Sequence, residues 1–415
     1  MRFIKSLVAV SALTASAAMA SCPTGTVEVS ENTCKLTGTY LTDVLLTNNN
    51  TYLLSGGVFI GNDAGERGTL TIEAGTTIKG ESGRDYLVVS RGSQIFAEGT
   101  NDAPIVFTSD KQARGGWGGL VINGYAPING CDTGVCQAEG EGSTGLYGGN
   151  EPADNSGVLK YVRVEYAGYQ ISPENELNGI AFQAVGNRTL VENVQVHMAA
   201  DDGMEFFGGT VRVKNIVVTG ARDDSFDWTT GWHGKGQYIL IKQYDDEGNN
   251  GIEADSLKKN MAASPRSNPT LSNVTILGTM SEAAKGGSGM LLRRGTSINL
   301  FNSVVTGFRK GCLDIDDAET FRIAQSTDFK MQAVVFGCDK TALVEEGDAF
   351  NTVDFFEAQR LNVVTPVSTE SYILPNANEI TRTIRVRDAW FESTRFIGAI
   401  ENSSSDWTKG WTVGL

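Results

Sequence analysis

One short segment recurs along this chain and restricts what it can fold into. Asn178-Gly179-Ile180-Ala181-Phe182-Gln183 is followed by Asp202-Gly203-Met204-Glu205-Phe206-Phe207 and by Asp224-Ser225-Phe226-Asp227-Trp228-Thr229. Asn250-Gly251-Ile252-Glu253-Ala254-Asp255 and Ser288-Gly289-Met290-Leu291-Leu292-Arg293 continue the series, with a weaker sixth copy at Lys310-Gly311-Cys312-Leu313-Asp314-Ile315. Gly179, Gly203 and Ser225 are 24 and 22 residues apart. A turn residue followed by period-2 apolar alternation, repeated at that interval, marks stacked β-coils and excludes helices.

The alternation sorts the side chains. Ile180, Met204, Phe226, Ile252 and Met290 share one parity with Phe182, Phe206, Trp228, Ala254 and Leu292, and form the expected core. The other parity makes two outward columns. One reads Ala181, Glu205, Asp227, Glu253, Leu291, and the other Gln183, Phe207, Thr229, Asp255, Arg293. Coils stack roughly 4.8 Å apart. Three carboxylates in one column must therefore raise a pKa or recruit a cation.

Residues 1–20 read as a signal peptide. Arg2 and Lys5 form a positive n-region, an apolar stretch follows, and Ala18-Met19-Ala20 is an A-x-A cleavage site. Without Arg2 and Lys5 the net charge moves from -15 to -17. Such a chain repels nucleic acid and anionic membrane surfaces, and no later stretch is apolar enough to span a membrane. The six cysteines pair by proximity as Cys22–Cys34, Cys131–Cys136 and Cys312–Cys338, which implies an oxidising compartment outside the cytoplasm. The even count also argues against a lipid anchor on Cys22.

The expected organisation is an N-terminal cap over 21–51, an all-β solenoid over 52–340 interrupted by a long loop at 123–157, and C-terminal coils and cap over 341–415. Capping follows from the exposed edges of a terminal coil. Asn193, Asn215, Asn273 and Asn302 fall in register in a second strand series. They are expected to form an inward amide ladder. Loops near 230–236 and 258–269, carrying Trp232, His233, Lys235 and Lys258, leave the acidic coils and could wall a groove.

Periodicity, Asn register and coil length resemble a single-stranded right-handed parallel β-helix. Trp117-Gly118-Gly119-Leu120-Val121-Ile122-Asn123-Gly124, Asp201-Asp202-Gly203-Met204-Glu205-Phe206-Phe207-Gly208-Gly209 and Leu291-Leu292-Arg293-Arg294-Gly295 resemble a group of uncharacterised secreted bacterial β-helix proteins. That resemblance implies fold and secretion. A partial resemblance links Asp202-Gly203 followed by Asp223-Asp224 to polygalacturonases, and the coil architecture to pectate-lyase-like proteins. Where the polygalacturonase pattern requires histidine on the next coil, Asn249-Asn250-Gly251 stands instead.

Three readings of the acidic column follow. In the first, a secreted or cell-surface protein binds a carbohydrate or Ca²⁺. Asp202, Glu205, Asp224, Asp227, Glu253 and Asp255 supply oxygen ligands of the kind Ca²⁺ takes, while Phe207, Trp232, His233, Lys235 and Arg293 meet a glycan. In the second, Glu205, Asp227 and Glu253 serve a polysaccharide hydrolase, with two carboxylates whose pKa values are driven apart. A lyase would add a base from Lys235, His233 or Arg293. In the third, the face is structural, with Asp255 against Arg293 and Arg294 against Asp316 as ion pairs that fix register.

Overall fold

The computed structural model describes residues 22–131, 134–172, 175–338, 351–368, 371–374 and 377–415. The expected signal peptide lies outside the described residues, as do the first ten positions of the expected C-terminal region.

The chain is a right-handed parallel β-helix. Among the described residues, 24 strands form one sheet, and two antiparallel two-stranded hairpins stand apart from it. Parallel pairing begins where Thr33–Tyr40 meets Thr51–Ile60 and continues to Lys330–Phe336 beside Val363–Val364. The recurring segments stack as the alternation predicts. Ile180 pairs with Met204, Met204 with Phe226, Phe226 with Ile252 and Ile252 with Met290. All five are buried, as are Phe182, Phe206, Trp228, Ala254 and Leu292. Phe182 stacks on Phe206 with ring centroids 5.1 Å apart.

The recurring glycine is a close-approach residue more than a turn former. A Cβ on Gly203 would lie 2.4 Å from the Val218 side chain and 2.5 Å from the Ser225 carbonyl oxygen. Only a residue without a side chain lets that backbone pass so near its neighbours.

The second strand series supplies the other two walls. Gly157–Glu165 pairs through its first half with Gln94–Glu98 and through its second half with Ile105–Thr108. One long strand thus continues two separate ones. The join is a single residue with left-handed φ, found at Tyr161, Asn193, Asn215, Tyr238, Asn273, Asn302 and Ala333 in successive coils. Asn tolerates that region well, which explains the register seen in the sequence. The inward ladder is not what forms. Asn273 donates to the Phe396 and Gly398 carbonyls, and Asn302 to the Ile384 carbonyl, so these amides face a C-terminal strap.

That strap runs back along the coils. Glu392 N–H donates to Gln237, Val413 N–H to Gln195, and Asn101 Nδ2 donates to the Lys409 carbonyl. Trp411 is fully buried beneath it with Val217 and Leu240. The three disulfides join Cys22 to Cys34, Cys131 to Cys136 and Cys312 to Cys338, as expected from spacing. They mark a chain that matures under oxidising conditions. No helix among the described residues is long and apolar enough to cross a membrane.

Candidate functional site

The outward column changes character along the stack. It reads Phe59, Val88, Val121 and Ala181, then Glu205, Asp227 and Glu253. The 123–157 loop lies over the apolar part. Ile128, Cys136 and Tyr147 pack there with Val88, Val121, Ala181 and Phe207, and Tyr147 meets Phe207 edge-on at 6.1 Å. Where the loop cover ends, the carboxylates begin. They open into a cleft of about 450 Å³.

A second ladder aims the acids. Each segment begins with Asn178, Asp202, Asp224, Asn250 or Ser288. Asp202 Oδ1 accepts from Asp224 N–H at 2.9 Å, Asp224 Oδ1 from Asn250 N–H at 2.6 Å, and Asn250 Oδ1 from Ser288 N–H at 2.8 Å. These bonds hold Asp202 and Asp224 beside Asp227, and one carboxylate oxygen of each lies within 4.8 Å of the others. The three residues are only 8%, 4% and 8% exposed. Asp227 Oδ1 has no hydrogen-bond partner, and neither does Asn178 Oδ1 beside Glu205. Asn178 Nδ2 donates to Glu205 Oε2 at 2.6 Å.

Electrostatically the cleft has two halves. Arg293 pairs with Glu253 and, at 2.9 Å, with Asp255, and Arg294 also pairs with Asp255. Among the described residues, Asp202, Glu205, Asp224 and Asp227 form no ion pair. Burial, then neighbouring carboxylates, hold all four well above their ordinary pKa values. The same causes push Glu141 to about 7 and Asp201 to about 8 at the cleft rim. Burial raises Glu253 as well, although the Arg293 guanidinium beside it opposes the rise. Such a cluster needs protons or a cation.

Six of the expected acids line this cleft together: Asp202, Glu205, Asp224, Asp227, Glu253 and Asp255. Four further acids join them that the sequence reading did not single out as ligands: Glu141, Glu176, Asp201 and Asp223. Glu141 and Glu176 arrive from the 123–157 loop and from the hairpin of Tyr169–Ser172 with Asn175–Leu177. Their only sequence signal is an acidic residue in a loop beside an acidic coil. Phe207, Lys258 and Arg293 also line the cleft.

Three expected glycan contacts lie elsewhere. Trp232 is fully buried, stacked on Phe206 at 4.2 Å, because Gly231 at φ 93° turns the chain inward. It cannot meet a sugar. Lys235 pairs with Asp388 of the strap. His233 takes its Nδ1 to the Gly231 carbonyl at 2.8 Å and lines a separate cleft with Pro265 and Arg266. Arg294 pairs with Asp255, not with Asp316 as expected; Asp316 Oδ1 instead accepts the Asp317 backbone N–H at 2.8 Å.

Residues 38–412 match the family described as a pectate-lyase like beta helix domain. The chain belongs to that family. No curated protein and no solved structure matches it significantly. Membership accounts for the solenoid along nearly its whole length. Fold alone assigns no chemistry to the acidic cleft.

Proposed function

We propose that this protein is exported and binds a polysaccharide through its acidic cleft, with Ca²⁺ held by Asp202, Asp224 and Asp227. The convergence of three nine-tenths-buried carboxylates, with Asp227 Oδ1 left unpartnered, carries the reading. An unpaired buried anion is costly. Hard oxygen donors in irregular geometry suit Ca²⁺, which takes 6 to 8 oxygens and leaves positions for hydroxyl or carboxylate groups of a sugar. Glu253 and Asp255, already neutralised by Arg293 and Arg294, form the other wall. The family's description favours a polysaccharide as the ligand class.

Calorimetric titration of CaCl₂ into the mature protein tests this. Saturable binding to the native protein and its loss in Asp227→Asn are expected, followed by Ca²⁺-dependent signals on a glycan array. Absence of Ca²⁺ binding at micromolar to millimolar concentration would rule the reading out.

The contrast between Asp227, which pairs with no cation among the described residues, and Glu253, which pairs with Arg293, favours one further reading, a hydrolase with Asp227 as the protonated acid and Glu253 as the ionised base. Release of reducing ends from polysaccharides, abolished in Glu253→Gln, is its test. Binding without any product on all substrates that bind would exclude it.

A further inference from the structure

The strap that closes the outer face carries an unused set of cations. Asn302 fixes it at Ile384 from both sides, accepting from the N–H at 2.7 Å and donating to the carbonyl at 2.8 Å. Further along, Lys235 pairs with Asp388 and Lys214 with Glu392 at 3.0 Å. Solenoid lysines thus engage the strap's acids and leave its arginines free. Arg385 and Arg387 are exposed and alternate with half-buried Ile384, Val386 and Asp388. With Lys330 and Arg360 they line a cleft of about 1160 Å³. Among the described residues none of these four cations forms an ion pair. The one acid among the described residues of the lining, Asp388, is committed to Lys235.

Four uncompensated cations in one concavity repel each other, and this on a chain of net charge -15. A concave wall of one sign focuses its field outward and concentrates counter-ions. Arginine forks match the two oxygens of a carboxylate or sulfate. We propose that this cleft is a second binding site, for an anionic glycan bearing carboxylate or sulfate groups. The overall negative charge of the chain disfavours nucleic acid, whose dense phosphates extend well beyond the cleft. A glycan carries its charges more sparsely and can seat them on Arg385 and Arg387 alone. The site is independent of the Asp202, Asp224 and Asp227 cluster and needs no cation.

Binding of the mature protein to immobilised alginate, dextran sulfate and double-stranded DNA, all in EDTA, tests the assignment. Alginate or dextran sulfate should bind, and whichever does identifies the group recognised. The double variant Arg385→Ser/Arg387→Ser should weaken that binding about tenfold, as should Lys330→Ser to a smaller extent. All three side chains are exposed, so folding is retained. Asp227→Asn should leave the binding unchanged, which separates failure here from failure of the Ca²⁺ reading. No binding to either glycan, tighter binding to DNA, or full binding by the double variant would each overturn the proposal.

Discussion

Asp202 Oδ1 accepts the backbone N–H of Asp224, one coil along, at 2.9 Å. The backbone of each coil thereby aims the acid of the coil before it. Side chains held that way cannot swing apart to relieve repulsion, so relief must come from a proton or a cation.

Ca²⁺ should therefore stabilise the native protein. At a hundredfold excess over Kd, linkage gives about 2.7 kcal/mol, read as a rise in melting temperature. Asp227→Asn should abolish the rise while retaining the β-sheet circular dichroism spectrum. An equal rise in the variant would remove Asp227 from the site.

The pH dependence has a definite sign. Glu141 and Asp201 hold protons in the folded state up to about 7 and 8, where the unfolded chain has released them. Their contribution is fully present below the ordinary carboxylate range, near pH 4, and is lost as pH rises through 7 to 8. In EDTA, stability should fall across that window, and saturating Ca²⁺ should flatten the fall. Stability rising from pH 5 to pH 8 in EDTA would contradict the cluster's electrostatics.

Trp232→Ala should be a stability variant and not a binding variant. Removing a fully buried indole typically costs about 3–5 kcal/mol. Chemical denaturation should show that loss, with Ca²⁺ affinity unchanged under folding conditions. A change of less than about 1 kcal/mol would mean that the ring is dispensable to the core.

Arg293→Met should expose the role of the neutralised half. It leaves Glu253 without its cation, and Asp255 with Arg294 alone. Breaking a partly buried pair on one side costs about 3 kcal/mol at neutral pH. Lowering the pH protonates both acids, whose pKa values burial already raises, and should recover part of the loss. An undiminished deficit at pH 4.5 would point to lost packing instead.

The strand register was legible because parity admits only two answers. Once Ile180, Met204 and Phe226 face inward, Glu205, Asp227 and Glu253 must align. The disulfides were legible because each pair is close in sequence. The rim was not. Glu141 reaches the cleft through a loop whose path is set by Tyr147 on Phe207, a contact between residues 60 apart in sequence. Burial of Trp232 depends on one positive φ at Gly231, which no periodicity records. The split between free and neutralised acids depends on rotamers of Arg293 and Arg294, which serve both outward columns.

The strap changes how the molecule can come apart. Solenoid coils touch only their neighbours, and such arrays ordinarily unravel from one end. Here the carbonyls of Lys409, Trp411 and Gly398 rest on Asn101, Arg163 and Asn273. Residues late in the sequence thus close contacts with coils 125 to 308 positions before them. The finished stack is latched lengthwise, and it should open as one cooperative unit with uniform amide-exchange protection from 157 to 306. Protection that declines steadily toward the later coils would show an unlatched spring. A chain whose strap has not yet docked lacks the latch, and its coils stay individually labile until it does.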